Sequence, residues 1–348
     1  MMKKLIFFLL LSALAASCAQ KPSVPKNLYA KQALEAYIAK YYPGAVKTAL
    51  GAYILPEEEK PGSGASANGA SYVRMDFSIS DIKGNYISST LESVNRQIEN
   101  YVPRNYYGPE IFYIGENKLP VGLEEILSGN GTELGAMKAG GRRRALVPGW
   151  LSGTKRYASE QDYINNVSGT DAIYEISLKD VFDDENSWEK DSLARFIAAN
   201  FPSAKEDTRI GAGSSAGGWY YLRTAEPSSD TLFPSDSVIY CNYTLRRLDG
   251  TVVDTSVEQV AKDNDLYVGG KKYEPQGINL NSDYTLITMG SSDDDVLDGF
   301  AYAFLKMHPH ESGSVFFCSY LGYADKAQSK EIPKYCPLWF EIQIVEKP

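Results

Sequence analysis

The chain says the same thing twice, and that repetition limits what it can fold into. "RMDFSISDIKGNYISST" opens at Arg74 and "YCNYTLRRLDGTVVDTS" at Tyr240, 166 positions later. "AIYEISL" from Ala172 and "LWFEIQI" from Leu338 keep the same offset. Each stretch alternates apolar and polar residues, as a half-buried strand does, and Gly84 and Gly250 mark a turn. Upstream, "ALEAYIAKYYPGA" (Ala33 to Ala45) and "SLARFIAANFPSA" (Ser192 to Ala204) match each other. Leu34, Tyr37, Ile38 and Tyr41 in one, and Leu193, Phe196 and Ile197 in the other, fall at helical spacing and stop before Pro43 and Pro202. Asp191 and Ser192 are the expected caps of the second helix. The pattern implies a tandem duplication, each unit a helix followed by a mostly antiparallel β domain. The boundary is expected near Asp184 to Lys190.

Between the strands each copy carries a long loop, a short helix and a hairpin. In the second, "SSDDDVLDGFAYAFLKM" reads as a helix capped by Ser292 or Asp293, with Val296, Leu297, Phe300, Ala301 and Phe304 on its apolar face. In the first, "NKLPVGLEEILSGNG" reads likewise, with Pro120 in the first turn, where proline is tolerated.

At 348 residues the chain has room for two domains with their own cores. A net charge of −9 argues against a nucleic-acid partner, which calls for a basic footprint. Lys3 and Lys4, the apolar run Leu5 to Leu11, and the small residues Ser12 to Ser17 before Cys18 form a secretory signal. The apolar run is too short for a good membrane span. Small residues directly before a cysteine resemble a bacterial lipobox, which makes Cys18 the lipidation site; an ordinary signal peptide with an incidental cysteine is the alternative. Multiple acyl chains anchor stably, at about 0.8 kcal/mol per buried methylene. Residues 19 to 27 read as a tether. With Ala19 after the cysteine, the expected place is the outer membrane of a bacterium, on its periplasmic or surface face. Cys241, Cys318 and Cys336 are three, so at most one internal disulfide forms, and buried apolar thiols are preferred.

Other signals are set aside. His308 and His310 are expected at a hairpin tip, not at a metal. "SSDDD" lacks the spacing of a calcium loop. "GGRRRAL" is read as a strand with exposed arginines, and Trp219, Tyr220 and Tyr221 as core packing.

The order of these pieces resembles the FKBP-type peptidyl-prolyl isomerases: a strand, "Y…DG…(V)DTS", a bulging loop, the "VLDGF" helix, "LGYA", then "IPxxxPLWFEIQI". The likeness covers about residues 215 to 348 well and 50 to 183 more loosely. It implies an α+β fold of two tandem domains, each an antiparallel sheet wrapped around one short helix and preceded by an extra amphipathic helix. The implied division is a signal peptide over 1–17, tether and helix over 18–48, a degenerate domain over 49–183, a linker helix over 184–205 and an isomerase domain over 206–348. It further implies proline-containing polypeptide clients, a membrane reached through the lipid, and neither cofactor nor metal.

Carried over by position, the resemblance puts Tyr243, Val253, Val296, Phe300, Ile332 and Phe340 around the substrate proline. It assigns the substrate carbonyl to the backbone N–H of Leu297 and the hydroxyl of Tyr323, with Asp254 beside them. Taken alone, Asp254 is equally a cap for the turn at Thr255 and Ser256. The family usually has an aromatic at Val253, a tryptophan at Phe300 and a glycine at Ala324; the loop from Ser256 to Asp283 is longer than its common form, and an aromatic near Thr285 is missing or supplied by Tyr284. The first copy departs further. Phe77 replaces the strand tyrosine, Ile87 and Ser88 the apolar-acid pair, and Leu123 the aromatic floor. Tyr174 keeps the last-strand aromatic. Pro120 stands where the donor N–H belongs and has none, unless the alignment slips by one and Val121 supplies it. The expected function is assistance to the folding of exported proteins, with activity in the second copy. The alternatives are a lipoprotein that holds peptides or proteins without catalysis, and, with little support, a glycan binder.

Overall fold

The computed structural model describes residues 27–69, 71–211 and 213–348. Cys18 and the signal segment lie outside the described residues. Helix α1 (Leu28–Tyr41) comes first and buries Leu34 and Ile38. The first sheet follows: β1 (Val46–Lys47), β2 (Tyr53–Ile54), β3 (Ser71–Asp81), β4 (Tyr86–Ser89), β5 (Glu110–Ile114), β6 (Arg142–Val147) and β7 (Ala172–Phe182). Helices α2 (Glu92–Gln97), α3 (Val121–Ser128) and α4 (Glu160–Asn166) interrupt it. Helix α5 (Glu185–Asn200) leads into the second sheet. That sheet holds β8 (Lys205–Glu206), β9 (Trp219–Ala225), β10 (Val238–Arg247), β11 (Val252–Thr255), β12 (Gln276–Asn279), β13 (Thr288–Met289), β14 (Asp294–Asp295), β15 (Ser312–Phe317) and β16 (Leu338–Val345). Helices α6 (Glu258–Asp263) and α7 (Asp298–Phe304) belong to it.

The strand orders correspond. The first sheet runs β1-β2-β6-β7-β3-β4 and the second, from its other end, β8-β9-β15-β16-β10, with β5 and β12 on the outer side of β3 and β10. All pairings are antiparallel. Register repeats to the residue: Phe77 faces Ile176 and Tyr243 faces Ile342; Ile79 faces Tyr174 and Leu245 faces Phe340. This is the α+β architecture of two sheets, each around a short helix, that the resemblance implies.

Each short helix needs a glycine at its second position to reach its sheet. A Cβ on Gly299 would stand 2.4 Å from the Phe317 ring, and one on Gly122 would stand 2.2 Å from Val147 Cγ1. The Gly299 carbonyl also accepts the indole N–H of buried Trp219 at 2.8 Å. Around α7 the rings of Phe300, Phe304, Phe317 and Phe340 pack at centroid distances of 4.5 to 5.8 Å. Burying each contributes about 1.5–3 kcal/mol.

Several expectations need correction. Helix α7 starts at Asp298 with Leu297 as its N-cap residue, not at Ser292 or Asp293. Asp293 has a positive φ of 54°, and Asp294 and Asp295 pair with Met289 and Thr288 as a strand. The acids are spent on a hairpin before the helix. Pro120 is likewise the N-cap residue of α3 and not within its first turn. Helix α5 begins nearly two turns before Asp191 and Ser192, because Asp184 caps it by accepting the Ser187 N–H at 2.7 Å. The middle arginine of the "RRR" strand is not exposed: Arg143 is 1% accessible, pairs with Glu59 and donates to the Ile126 and Gly135 carbonyls. Helices α2 and α6 formed no part of the reading; each is one short turn after β4 or β11. Cys241, Cys318 and Cys336 are free thiols, and Trp219 and Tyr220 are core.

Replacing Gly299 by alanine should destabilise the chain by about 1–3 kcal/mol through overpacking. Denaturant unfolding monitored by tryptophan fluorescence checks this; an unchanged midpoint would contradict the close approach.

Candidate functional site

In the second repeat a β-bulge aims the apolar-acid pair. Leu245 faces Asp254, but Arg246 faces Val252, so Val253 is the extra residue on β11. A bulge turns a side chain out of the strict alternation. The first repeat has the same irregularity, with Ile79 opposite Ser88 and Ser80 opposite Tyr86. The acid can therefore follow directly on two valines without leaving the cleft.

Asp254 accepts the Tyr243 hydroxyl at 2.6 Å through one oxygen and meets Lys271 Nζ at 3.3 Å with the other. It does not cap the following turn. Thr255 Oγ1 accepts the Val257 N–H at 3.1 Å, and Ser256 Oγ accepts the Tyr243 N–H at 2.9 Å. The Tyr243 ring lies 5.7 Å from Phe300 and 6.1 Å from Phe340, and these two lie 4.5 Å apart. Phe300, Ile332 and Phe340 are buried; Val253, Val296, Leu297 and Tyr323 are half-buried and pack on the same cluster. The cluster thus gathers all of the expected pocket residues, with Asp254 bonded to it through Tyr243. Tyr284 packs on the same cluster and lies edge-on to Tyr302 at 5.4 Å.

Two donors here have no partner among the described residues: the backbone N–H of Leu297 and the hydroxyl of Tyr323. Leu297 precedes the first helical turn, so no helical carbonyl can take its N–H. Burial and then the Asp254 charge raise the pKa of both Tyr243 and Tyr323 above that of an ordinary phenol, so both remain donors at neutral pH. Aromatic rings, an acid held by Tyr243 and two uncommitted donors meet at the margin of this core, where together they can bind an amide carbonyl.

The first repeat closes the same place. Pro120 is the N-cap residue of α3 as Leu297 is of α7, so the alignment does not slip there. The next N–H, Val121, is spent on the Gly153 carbonyl at 2.9 Å. Arg156 donates to the Leu119 carbonyl at 3.1 Å and pairs with Glu124. Ser88 is exposed, and Phe77 has no hydroxyl to offer.

Sequence reasoning missed two contributors. Lys271 comes from the long loop, and only its length was a signal. Glu189 on α5 is fully buried and accepts the Ser319 N–H at 2.7 Å and hydroxyl at 2.5 Å. Ser319 opens the turn that ends in Tyr323, and its carbonyl takes the N–H groups of Gly322 and Ala324. Ala324 holds φ at 50°, a left-handed position that costs a non-glycine residue about 1–2 kcal/mol. The linker helix is thereby pinned to the turn that presents Tyr323, across a sequence distance that no local pattern reveals.

Burial pushes the Glu189 carboxyl up to about 7, against the pull of the two Ser319 bonds. The folded chain therefore holds this proton where the unfolded chain, near 4.5, has released it. The stability contributed by the neutral acid is full below the unfolded value and is lost as pH rises through the folded one. Glu189→Gln should accordingly gain stability relative to the parent as pH rises from about 5 to 8. Melting temperatures of both proteins across that range check this, and parallel curves would contradict it.

No family model matches the chain. A stretch of 89 residues is 33% identical to the short-type peptidyl-prolyl cis-trans isomerase of Methanocaldococcus jannaschii, covering 25% of this chain and 50% of that protein. The chain thus spans half the length of this curated relative. Among solved structures, the three FKBP domains of wheat FKBP73 align over 89% of this chain and 96% of that one, at 15% identity and a TM-score of 0.29. A peptidyl-prolyl cis-trans isomerase from Pseudomonas syringae pv. tomato aligns over 46% of this chain and 94% of that one, at 16% identity and a TM-score of 0.30.

Proposed function

We propose that this chain is a peptidyl-prolyl cis-trans isomerase of the FKBP type, that its second repeat is the catalyst, and that it assists the folding of exported proteins. The observation that carries this reading is a pair of donors without a partner among the described residues, the Leu297 N–H and the Tyr323 hydroxyl, beside the Tyr243, Phe300 and Phe340 rings. The sequence identity to an archaeal isomerase supports it.

Rotation about a peptide bond breaks amide resonance against a barrier of about 18–20 kcal/mol. It needs no nucleophile and no proton transfer. A catalyst need only bind the twisted amide better than the planar one. Twisting localises the nitrogen lone pair and lowers the polarity of the amide. An aromatic pocket that excludes water favours that form relative to solvent. The two donors hold the carbonyl oxygen while the proline ring sits against Phe300 and Phe340 and the bond turns. Asp254 fixes the Tyr243 hydroxyl and places negative charge beside the carbonyl carbon.

For the first repeat we propose a holding or structural role. Its donor position is a proline, and its own loop takes the neighbouring N–H. For the whole chain we propose lipid anchoring through Cys18 at the bacterial outer membrane, a reading that rests on the sequence before the described residues.

The test is the cis-to-trans isomerisation of a short Phe-Pro or Leu-Pro peptide by the full chain. The parent should accelerate it, and Tyr323→Phe and Asp254→Ala should each lower kcat/KM by about tenfold, the equivalent of one hydrogen bond of about 1.4 kcal/mol. Circular dichroism should stay unchanged. No acceleration by the parent would overturn the reading and leave a binding protein. In bacterial cells, palmitate labelling should mark the parent and not Cys18→Ser; an unlabelled parent would overturn the anchor.

A further inference from the structure

Strands β5 and β12 hold equivalent places. Glu110 and Gln276 begin them, and each strand pairs with the long central strand of its sheet, β3 or β10. Their outer edges differ. In the second repeat β13 covers β12, and β14 covers β13; both are built from residues 280–296, ahead of Leu297. In the first repeat residues 115–119 join β5 directly to Pro120. Among the described residues no strand pairs with the outer edge of β5. Residues 110–114 make backbone hydrogen bonds only to β3. The first repeat lacks the chain that the second lays along this edge.

That edge is not on open surface. Glu110, Ile111, Phe112 and Tyr113 line a cleft of about 870 Å³ between the two repeats. Phe77, which stands in the register place of Tyr243, and Leu119, which precedes Pro120, line it too. The opposite wall is the second repeat's segment 325–335, with Lys330, Pro333 and Tyr335. Polar bonds span the two repeats beside it. Tyr106 donates its N–H to the Lys330 carbonyl at 2.8 Å, and Arg104 pairs with Glu331 at 2.8 Å. The Arg247 guanidinium bridges the Arg104 carbonyl at 2.8 Å and the Glu331 carbonyl at 2.7 Å.

An unpaired strand edge is a template for another strand. Native proteins cover such edges, and the second repeat does so with its own chain. We propose that the interdomain cleft binds an extended polypeptide segment, which adds as a strand to the outer edge of β5 in the place that β13 holds in the second repeat. The edge is about 16 Å long at 3.3 Å per residue, enough for a short stretch of main-chain pairing. Main-chain pairing is tolerant of sequence; the Phe77, Phe112 and Tyr335 rings can meet apolar side chains of the added strand, and the more numerous polar residues of the cleft, Asn95, Glu110 and Lys330 among them, its polar ones. This site lies in the first repeat and goes beyond the isomerase reading; it does not require the second repeat to catalyse.

The experiment is amide hydrogen exchange by mass spectrometry on the full chain, with and without carboxymethylated α-lactalbumin, a permanently unfolded polypeptide. Outward-facing amides of residues 110–114 should exchange about tenfold more slowly with the probe, while 276–279 stay unchanged. Tyr113→Asp should weaken probe binding by about tenfold with a melting temperature near that of the parent. Three outcomes would overturn the proposal. Unchanged exchange over 110–114 would make the edge purely structural. Protection that appears without probe and grows with protein concentration would assign the edge to a second copy. Protection that is complete without probe at every concentration would assign it to the chain's own undescribed residues. Isomerisation of the proline peptide, measured on the same samples, reports separately on the second repeat.

Discussion

Everything in the second repeat depends on how closely α7 approaches its sheet. Gly299 sits where any side chain would strike the Phe317 ring, and its carbonyl is held by the Trp219 indole. That approach sets Phe300 against Phe340 as a floor. It also leaves Leu297, the residue before the first turn, at the margin of the aromatic cluster with an N–H that has no partner among the described residues. A helix lacks partners for its first N–H groups by construction. Here that shortfall lies at the edge of an aromatic cluster, where an amide carbonyl from outside can meet it. Packing and chemistry are therefore one constraint: the glycine that lets the helix dock also places the donor.

The first repeat keeps the same constraint, with Gly122 against Val147, and has no N–H at the position of Leu297. Only a few residues separate the two outcomes. A proline at the N-cap position removes the N–H, and the Gly153 carbonyl takes the next one. The tyrosine-acid pair has become Phe77 and Ser88. What the first repeat offers instead is a strand edge uncovered among the described residues, on a cleft shared with its twin. The sheet register and the helix approach are common to both repeats, and the donor arrangement is not.

The sequence made the duplication legible because register in a two-faced sheet is tied to side-chain alternation. A shared offset at both ends of a unit therefore fixes the paired strands, and Tyr243 opposite Ile342 and Phe77 opposite Ile176 follow from it. The expected pocket residues came from the resemblance, position by position, and they fall in one apolar cluster with Asp254 bonded to it through Tyr243. What escaped the reading acts across distance or competes locally. The acids before α7 fit a helix cap, yet Asp294 and Asp295 found strand partners in Thr288 and Met289. Arg143 looked like a surface residue until Glu59 and two carbonyls offset its burial. Glu189 reaches Ser319 from another element altogether, and no periodicity encodes such a contact.

The most direct measurement puts the first repeat's proline into the second: Leu297→Pro in the full chain, with Leu297→Ala as the control that keeps the N–H. Leu297 has φ −64° and ψ 136°, close to the −53° and 140° of Pro120, so the backbone accepts the change. The expected result is loss of prolyl isomerisation in Leu297→Pro, with folding preserved by circular dichroism and substantial activity kept in Leu297→Ala. A Leu297→Pro chain that isomerises at the parent rate would show that this N–H does not hold the substrate and would contradict the central claim.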